Sequence, residues 1–456
     1  MRLCLLGILL TCPIPMLAAA DLHVWSDSAG PVAPYVSRGT AARTLEEAVA
    51  AARPGDTILV HPRPDNRPYE RVALNLDTPR LTVRGVGEPA GNRVPLSGRG
   101  FDYSGRGRTP RAMVQFNAGA DGCVLEGFDL SGAHNESHNG AGVRLNQANQ
   151  VTVRDCVIHH NDMGIMSNGN GTPHAAVDQS IERCLVHSNG DPADPGYNHN
   201  LYLGGTSVTL LGCEVHSSLT GHNVKSRAHR TTVLVCFIHD AANREFDLVD
   251  ARGDTDVPQS HAVLAGNVIV KAPDCAGNRG VIHFGQDGGH GHDGTLFLVH
   301  NTIVTPFVSP VVQLSAEGTR AEFWNNLVSD GGARQHNQRL ISSDGVMAAG
   351  RIGGSCNRLA AGFVGPDFAA LGLRDTGFLD AGGQLPFADP AHGDYRLVRK
   401  VTGITEAGCV LPAGLRELIG RPLPQYGSPP GWRERSDEGK PDLGAFDGGA
   451  GGARAR

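Results

Sequence analysis

The sequence predicts an all-β fold, a right-handed parallel β-helix, and three observations carry that prediction. The first is an internal repeat. VRDCVIHHND (153–162), IERCLVHSNG (181–190), LLGCEVHSSL (210–219) and VLVCFIHDAA (233–242) each place a Cys two residues before Ile or Val, followed by a polar turn. Asn takes the Cys place in LAGNVIVKAP (264–273), LVHNTIVTPF (298–307) and FWNNLVSDGG (323–332), and VLEGFDLSGA (124–133) is a candidate first copy. From position 156 to 326 the marks are 28, 29, 23, 31, 34 and 25 residues apart, a variable period that belongs to stacked repeats and matches one turn of such a solenoid. The second observation is apolar alternation with period two and no helix-forming runs, which excludes helical repeats. The third is composition: Gly is 61 of 456 residues and aromatic residues are 5%, a balance suited to tight turns and small packing units.

The elements follow in chain order. Residues 1–20, MRLCLLGILLTCPIPMLAAA, combine an early Arg, an apolar run from Leu3 to Leu10 and a small-residue site at Ala18–Ala20. That is a secretory signal, with a periplasmic or secreted location, and a bacterial one, as its consequence. One β-helix domain is expected over 21–448, with an N-terminal cap over about 21–62, regular coils over about 115–332 and irregular C-terminal coils over about 333–448. Within the cap, TLEEAVAAARPGDTILVHP (44–62) reads as a short amphipathic helix started by Thr44, then a turn and a strand. In the regular coils the repeated Cys and Asn would stack about 4.8 Å apart, wider than a disulfide allows, so a ladder of reduced thiols passing into an Asn ladder is expected. DYRLVRK (394–400) and PDLGAFD (441–447) read as a last irregular coil, and 449–456 as a disordered tail. No later segment has the roughly 20 apolar residues that span a bilayer.

A second strand precedes the Cys frame in each coil: GVRLN (142–146), GIMSN (164–168), NLYLG (200–204), NVKSR (223–227), EFDLV (245–249), VIHFG (281–285) and VVQLS (311–315). Alternation turns the second and fourth residues inward and the others outward. The middle outward column is then Arg144, Met166, Tyr202, Lys225, Asp247, His283, Gln313. One flank brings Asn200, Asn223 and Glu245 beside it, and the other brings Arg227. His199 and His222 stand next to the column, and Tyr197 offers an aromatic face for a sugar ring. Four different proton-transfer side chains on consecutive coils form a candidate catalytic groove. The net charge of −6 provides no basic field for nucleic acid, so an acidic polymer would be gripped locally.

The repeat resembles the right-handed β-helix proteins of the pectate-lyase type, clearly over about Val124–Asp330. In its site the chain is similar to the alginate-lyase and chondroitinase-B branch, in which an exposed strand carries a Lys base, an Arg assists and calcium neutralises the substrate carboxylate. The resemblance implies a polysaccharide lyase acting on an acidic, uronate-containing polysaccharide by β-elimination. Lys225 takes the base position, Arg227 or Arg252 assists, and Tyr202 or His199 protonates the leaving oxygen or exchanges roles with Lys225. Asp247 and His283 complete the catalytic candidates; Asn200, Asn223, His222, Arg144, Tyr197 and Arg252 are the substrate-binding ones. Ca2+ is a candidate ion, through Glu245, Asp247 and Asp250, because it favours several hard oxygens. The chain departs from that branch in placing His222 and Asn223 before the Lys, with the acids one coil later.

Three alternatives stand beside this reading. DLVDARGD (247–254) offers Asp247 and Asp250 as the paired acids of a glycoside hydrolase, which need about 6.5–9.5 Å between them to activate water with inversion. A uronate C5-epimerase starts with the same proton abstraction, and a non-catalytic carbohydrate-binding or adhesin solenoid would use the column as a contact stripe. The His-bearing loops HGHD (290–293) and HNESH (134–138) read as solvated turns rather than a transition-metal centre.

Overall fold

The computed structural model describes residues 18–87, 91–333, 337–344, 350–364, 368, 371–379, 385–428, 430–435 and 439–447. The expected signal segment falls mostly, and the tail wholly, outside them. Three long sheets of 13, 10 and 12 strands run the length of the molecule, and successive coils contribute one strand to each. All their pairings are parallel, for example Val153↔Ile181↔Leu210↔Val233↔Leu264↔Leu298↔Phe323. The fold is the right-handed parallel β-helix.

The stack reaches further than the repeat can be read. Strand Asp21–Val24 already pairs with Thr57–Val60, and the last coil pairs Arg358–Leu359 with Gly377–Phe378. Helix α1 (Leu45–Ala51) lies between the first two strands, with Thr44 and Glu47 forming a reciprocal capping box. That arrangement satisfies amide groups that the first helical turn leaves free.

Register puts Cys156, Cys184, Cys213 and Cys236 on one line with Asn267, Asn301 and Asn326, and adds Asn357. The thiols are free and buried, and in the preceding coil Phe128, not Gly127, occupies the same place. Each Asn amide donates to the Asn oxygen of the next coil at 3.0 Å, from Asn267 through Asn301 and Asn326 to Asn357. Buried amides paired this way fix coil spacing without leaving an unsatisfied polar group.

The C-terminal chain does not form the last coil expected of it. It folds back along the outside. Leu415 and Ile419 of the helix Ala413–Ile419 (α2) cover Leu211, Leu234, Val263 and Phe297 on the 13-strand sheet. Tyr395, Tyr426 and Ala445 cover Phe237, Val268, Val270 and Val304 on the 12-strand sheet. These outward positions are apolar and would otherwise face water, so burying them favours the return path. Among the described residues, neither of these C-terminal clusters includes a residue of the 10-strand sheet.

Candidate active site

The outer face of the 10-strand sheet carries the predicted column. Its strands are β1 (Ala141–Asn146), β2 (Met163–Asn168), β3 (Leu201–Leu203), β4 (Val224–Ser226), β5 (Phe246–Val249), β6 (Ile282–Gly285) and β7 (Val312–Leu314). Their register aligns Arg144, Met166, Tyr202, Lys225, Asp247, His283 and Gln313. Val224 and Ser226 turn inward, with Ser226 Oγ paired to Thr231 Oγ1 at 2.7 Å.

Lys225 is the hub. Its Nζ donates to Asp247 Oδ2 and to Asp287 Oδ2, each at 2.6 Å. Arg227 Nη2 donates to Asp287 Oδ1 at 2.6 Å, its Nε to Tyr202 Oη at 3.2 Å, and its Nη1 to the Asp250 carbonyl. One carboxylate therefore bridges both cations. Behind Lys225, Asp247 accepts from His283 Nδ1 at 2.8 Å and lies 3.4 Å from both His222 Nε2 and Arg244 Nη1. Burial pushes its carboxyl up, but His283, His222 and Lys225 together outweigh that and hold it well below the usual range.

The two histidines before β3 and β4 stack at 5.0 Å. His222 N–H donates to His199 Nδ1 at 3.0 Å, and Arg244 N–H donates to His222 Nδ1 at 3.2 Å. A backbone amide can only donate, so each neutral ring carries its proton on Nε2. Burial, with His222 and Lys225 as neighbours, depresses His199 far below the usual histidine value, and burial brings His222 to about 4. Both are neutral near pH 7, and the ring of Tyr202 meets His199 edge-on at 5.5 Å. Gly221 makes this corner buildable, since any Cβ there would collide with the Asn198 carbonyl and the His199 ring.

Three of the predicted groups lie elsewhere than expected. Asn200, Asn223 and Glu245 are 0% exposed, inside the corner rather than on the groove. They continue a second ladder, Asn161 to Asn189 to Asn200 to Asn223 to Glu245, with amide-to-oxygen distances of 2.6–3.1 Å. The physical reason is that β3, β4 and β5 begin one residue later than alternation implies. The preceding side chain thus falls at the bend, where buried backbone groups need partners. Glu245 ends the ladder against Lys271 Nζ at 3.5 Å, both side chains fully buried.

Asp250 is also turned away. It is 0% exposed and accepts the amides of Asp287, Gly288 and His290 at 2.6, 2.8 and 2.6 Å. It anchors a loop, so neither a calcium set of Glu245, Asp247 and Asp250 nor an Asp247/Asp250 acid pair converges on the groove. Arg252 is exposed in the turn after β5, Tyr197 is 73% exposed in the loop before β3, and Arg144 lies three coils from Lys225, bonded to Asn168 at 3.0 Å. HGHD and HNESH do not form a joint centre: His292 packs on Phe284, while His134 and His138 pair with Asp162 and Asp191.

Asp287 and Arg244 are the residues the sequence reading missed. Arg244 was within reach, because it precedes β5 as His199 and His222 precede β3 and β4. Asp287 sits past the end of β6 in a Gly-rich loop, where period-two alternation gives no direction.

No family model matches the chain, and no curated protein does. Among solved structures it is similar to pectate lyase Pel9A, with a TM-score of 0.51 and 13% identity over 95% of this chain and 97% of that one. It is also similar to the alginate lyase from Paenibacillus sp. str. FPU-7, with a TM-score of 0.42 and 16% identity over 61% of this chain and 92% of that one. A third similar structure is a lacto-N-biosidase from Eubacterium ramulus, with a TM-score of 0.39 and 11% identity over 79% of this chain and 67% of that one. The likeness to Pel9A is one of fold.

Proposed function

We propose that the protein is a polysaccharide lyase that cleaves a uronate-containing polymer by β-elimination. The observation that supports this best is the Asp287 carboxylate held between Lys225 Nζ and Arg227 Nη2, at 2.6 Å from each. Two cations at that separation fit one carboxylate, and a uronate would take the same place by displacing Asp287. Neutralising the uronate acidifies its C5–H, the proton that an elimination must remove.

The roles follow from what each group can still do. Lys225 already donates to two carboxylates, so we assign it with Arg227 to holding the substrate anion. Tyr202 is the candidate base, its oxygen accepting the Arg227 Nε–H at 3.2 Å. As the phenolate it takes the C5 proton; the C–H electron pair forms the C4–C5 double bond, the C4–O4 bond breaks, and the Tyr202 hydroxyl hands the proton on to the departing O4, with the neutral His199 ring edge-on beside it. Asp247, His283 and His222 position Lys225. A calcium-dependent variant would need ligands other than the three anticipated.

The test incubates the protein with acidic and neutral glycans, following the ultraviolet absorbance of unsaturated uronate and new reducing ends in parallel. Both signals, from acidic glycans only, are expected. Reducing ends without absorbance would mean hydrolysis, and neither signal would remove the enzymatic reading. Lys225→Arg then separates the roles: partial turnover with a raised KM is expected of an anion holder, whereas a loss as complete as Lys225→Ala returns the base role to Lys225.

A further inference from the structure

A second cluster lies on the 12-strand sheet, away from the groove. The residue that follows the apolar position of the Cys frame is His in four consecutive coils: His159, His187, His216 and His239. Their rings stack at 5.1, 5.0 and 4.7 Å. In each, Nδ1 bonds the side chain of the very next residue: His160, Ser188, Ser217 and Asp240, at 2.6–3.0 Å. Those next residues all have left-handed backbone by close repetition of one turn, with φ of 51° at His160, 52° at Ser188, 51° at Ser217 and 57° at Asp240. The ring at one end, His159, turns its Nε2 to Asp129 of the preceding coil at 2.9 Å.

At the other end the carboxylate is Glu214, and two of the rings meet it. Glu214 and His216 alternate on strand Glu214–His216 and so share its outer face, and His239 stands opposite His216 on the next strand. One donor atom from each of the three lies within 4.8 Å of the others. We propose that Glu214, His216 and His239 bind a divalent transition-metal ion of the zinc class, clipping two adjacent coils together.

The donor set suits such an ion, which takes imidazole nitrogen and carboxylate oxygen at about 2.0–2.2 Å. Each donor also has the outer partner that metal ligands need to fix their orientation. Asp240 Oδ2 holds His239 Nδ1 at 2.7 Å, Ser217 Oγ holds His216 Nδ1 at 2.9 Å, and Tyr426 Oη donates to Glu214 Oε2 at 3.0 Å. That leaves Nε2, Nε2 and Oε1 for one ion, and His239 Nε2 and Glu214 Oε1 stand 3.5 Å apart, a separation two ligands of one ion can share. The competing account is a plain His239–Glu214 ion pair. The clip has a link to the groove: the His216 and His239 carbonyls accept from Asn200 and Asn223, each at 2.7 Å, immediately before the strands of Tyr202 and Lys225.

The test uses the full chain, stripped by chelation and dialysed against Zn2+, with bound metal measured by elemental analysis and the site probed by the visible spectrum of Co2+. One ion per chain is expected, with affinity lowered about 100-fold in His216→Ala and in His239→Ala, in the range seen when a ligand shell is damaged. His159→Ala, at the far end of the stack, should bind as the parent does. No bound metal, or binding that both variants leave unchanged, overturns the proposal in favour of the ion pair. Should either variant fail to fold, Cu2+ electron paramagnetic resonance of the parent decides: coupling to two imidazole nitrogens supports the site, and any other nitrogen count rejects it.

Discussion

Lys271→Met should destabilise the protein by about 3–5 kcal/mol at slightly alkaline pH, the usual cost of removing one partner from a buried ion pair. Lys271 is 1% exposed and Glu245 is 0%. Besides the 3.5 Å contact with Glu245, Lys271 Nζ donates to the Ala241 carbonyl at 3.4 Å and to the Asn243 carbonyl. The variant leaves Glu245 with two donors, Ala241 N at 3.0 Å and Asn223 Nδ2 at 2.6 Å, but no cation. It also orphans two carbonyls. Proton uptake by Glu245 limits the damage, and this makes the effect pH-dependent. Burial already raises the Glu245 carboxyl above its ordinary value, against the pull of Lys271. Without Lys271 the folded-state value rises further. The native state then binds more protons than the unfolded one, so stability falls as pH climbs from the ordinary carboxylate range through the raised value. The penalty should therefore be smaller at about pH 5 than at about pH 8. Adding Glu245→Gln removes the stranded charge, and its amide can serve the orphaned carbonyls, so the double variant should recover about 2–3 kcal/mol of coupling. Urea unfolding followed by circular dichroism at both pH values measures all three. If Lys271→Met lies within about 1 kcal/mol of the parent at the higher pH, or its penalty ignores pH, the buried-pair account is wrong and Glu245 becomes free for another role.

The remaining predictions concern the groove. Asp287→Asn should bind an oligouronate about 5–10-fold more tightly by calorimetry, because a neutral amide competes less for Lys225 and Arg227; weaker binding would mean that Asp287 helps to hold substrate. Calcium-selective chelation should leave turnover unchanged, as Glu245 and Asp250 have their oxygens engaged; a loss restored by added calcium would reverse that conclusion. Burial sets His222 to about 4 against an ordinary 6.5. Its contribution to stability is thus full above the ordinary value and is lost as pH falls towards about 4, amounting to at most about 3 kcal/mol. His222→Asn should flatten that acid slope in unfolding measurements, and an unchanged slope would place the titration on other groups.

The column from Arg144 to Gln313 was legible in the sequence because its two determinants are local. Side chains alternate with period two within a strand, and the Cys or Asn mark sets the register between coils. Tyr202, Lys225, Asp247 and His283 could be aligned from that information alone. The flank was misread where alternation meets a corner: Asn200, Asn223 and Glu245 lie at the bend, and there the needs of buried amides, not the pleat, choose the direction. Asp250 was misread for a related reason, since its partners are backbone amides 37 to 40 residues later in the chain, which no local pattern reveals.

The sequence by itself determined the solenoid, its ladder of thiols and amides, and the order of side chains along one outer face, all of which follow from short-range periodicity repeated coil after coil. The tertiary structure alone decided which outer faces the described C-terminal chain covers, because its return path follows the apolar outsides of the 13- and 12-strand sheets. It alone also delivered Asp287 between Lys225 and Arg227, since a loop's reach depends on where the next coil has been stacked.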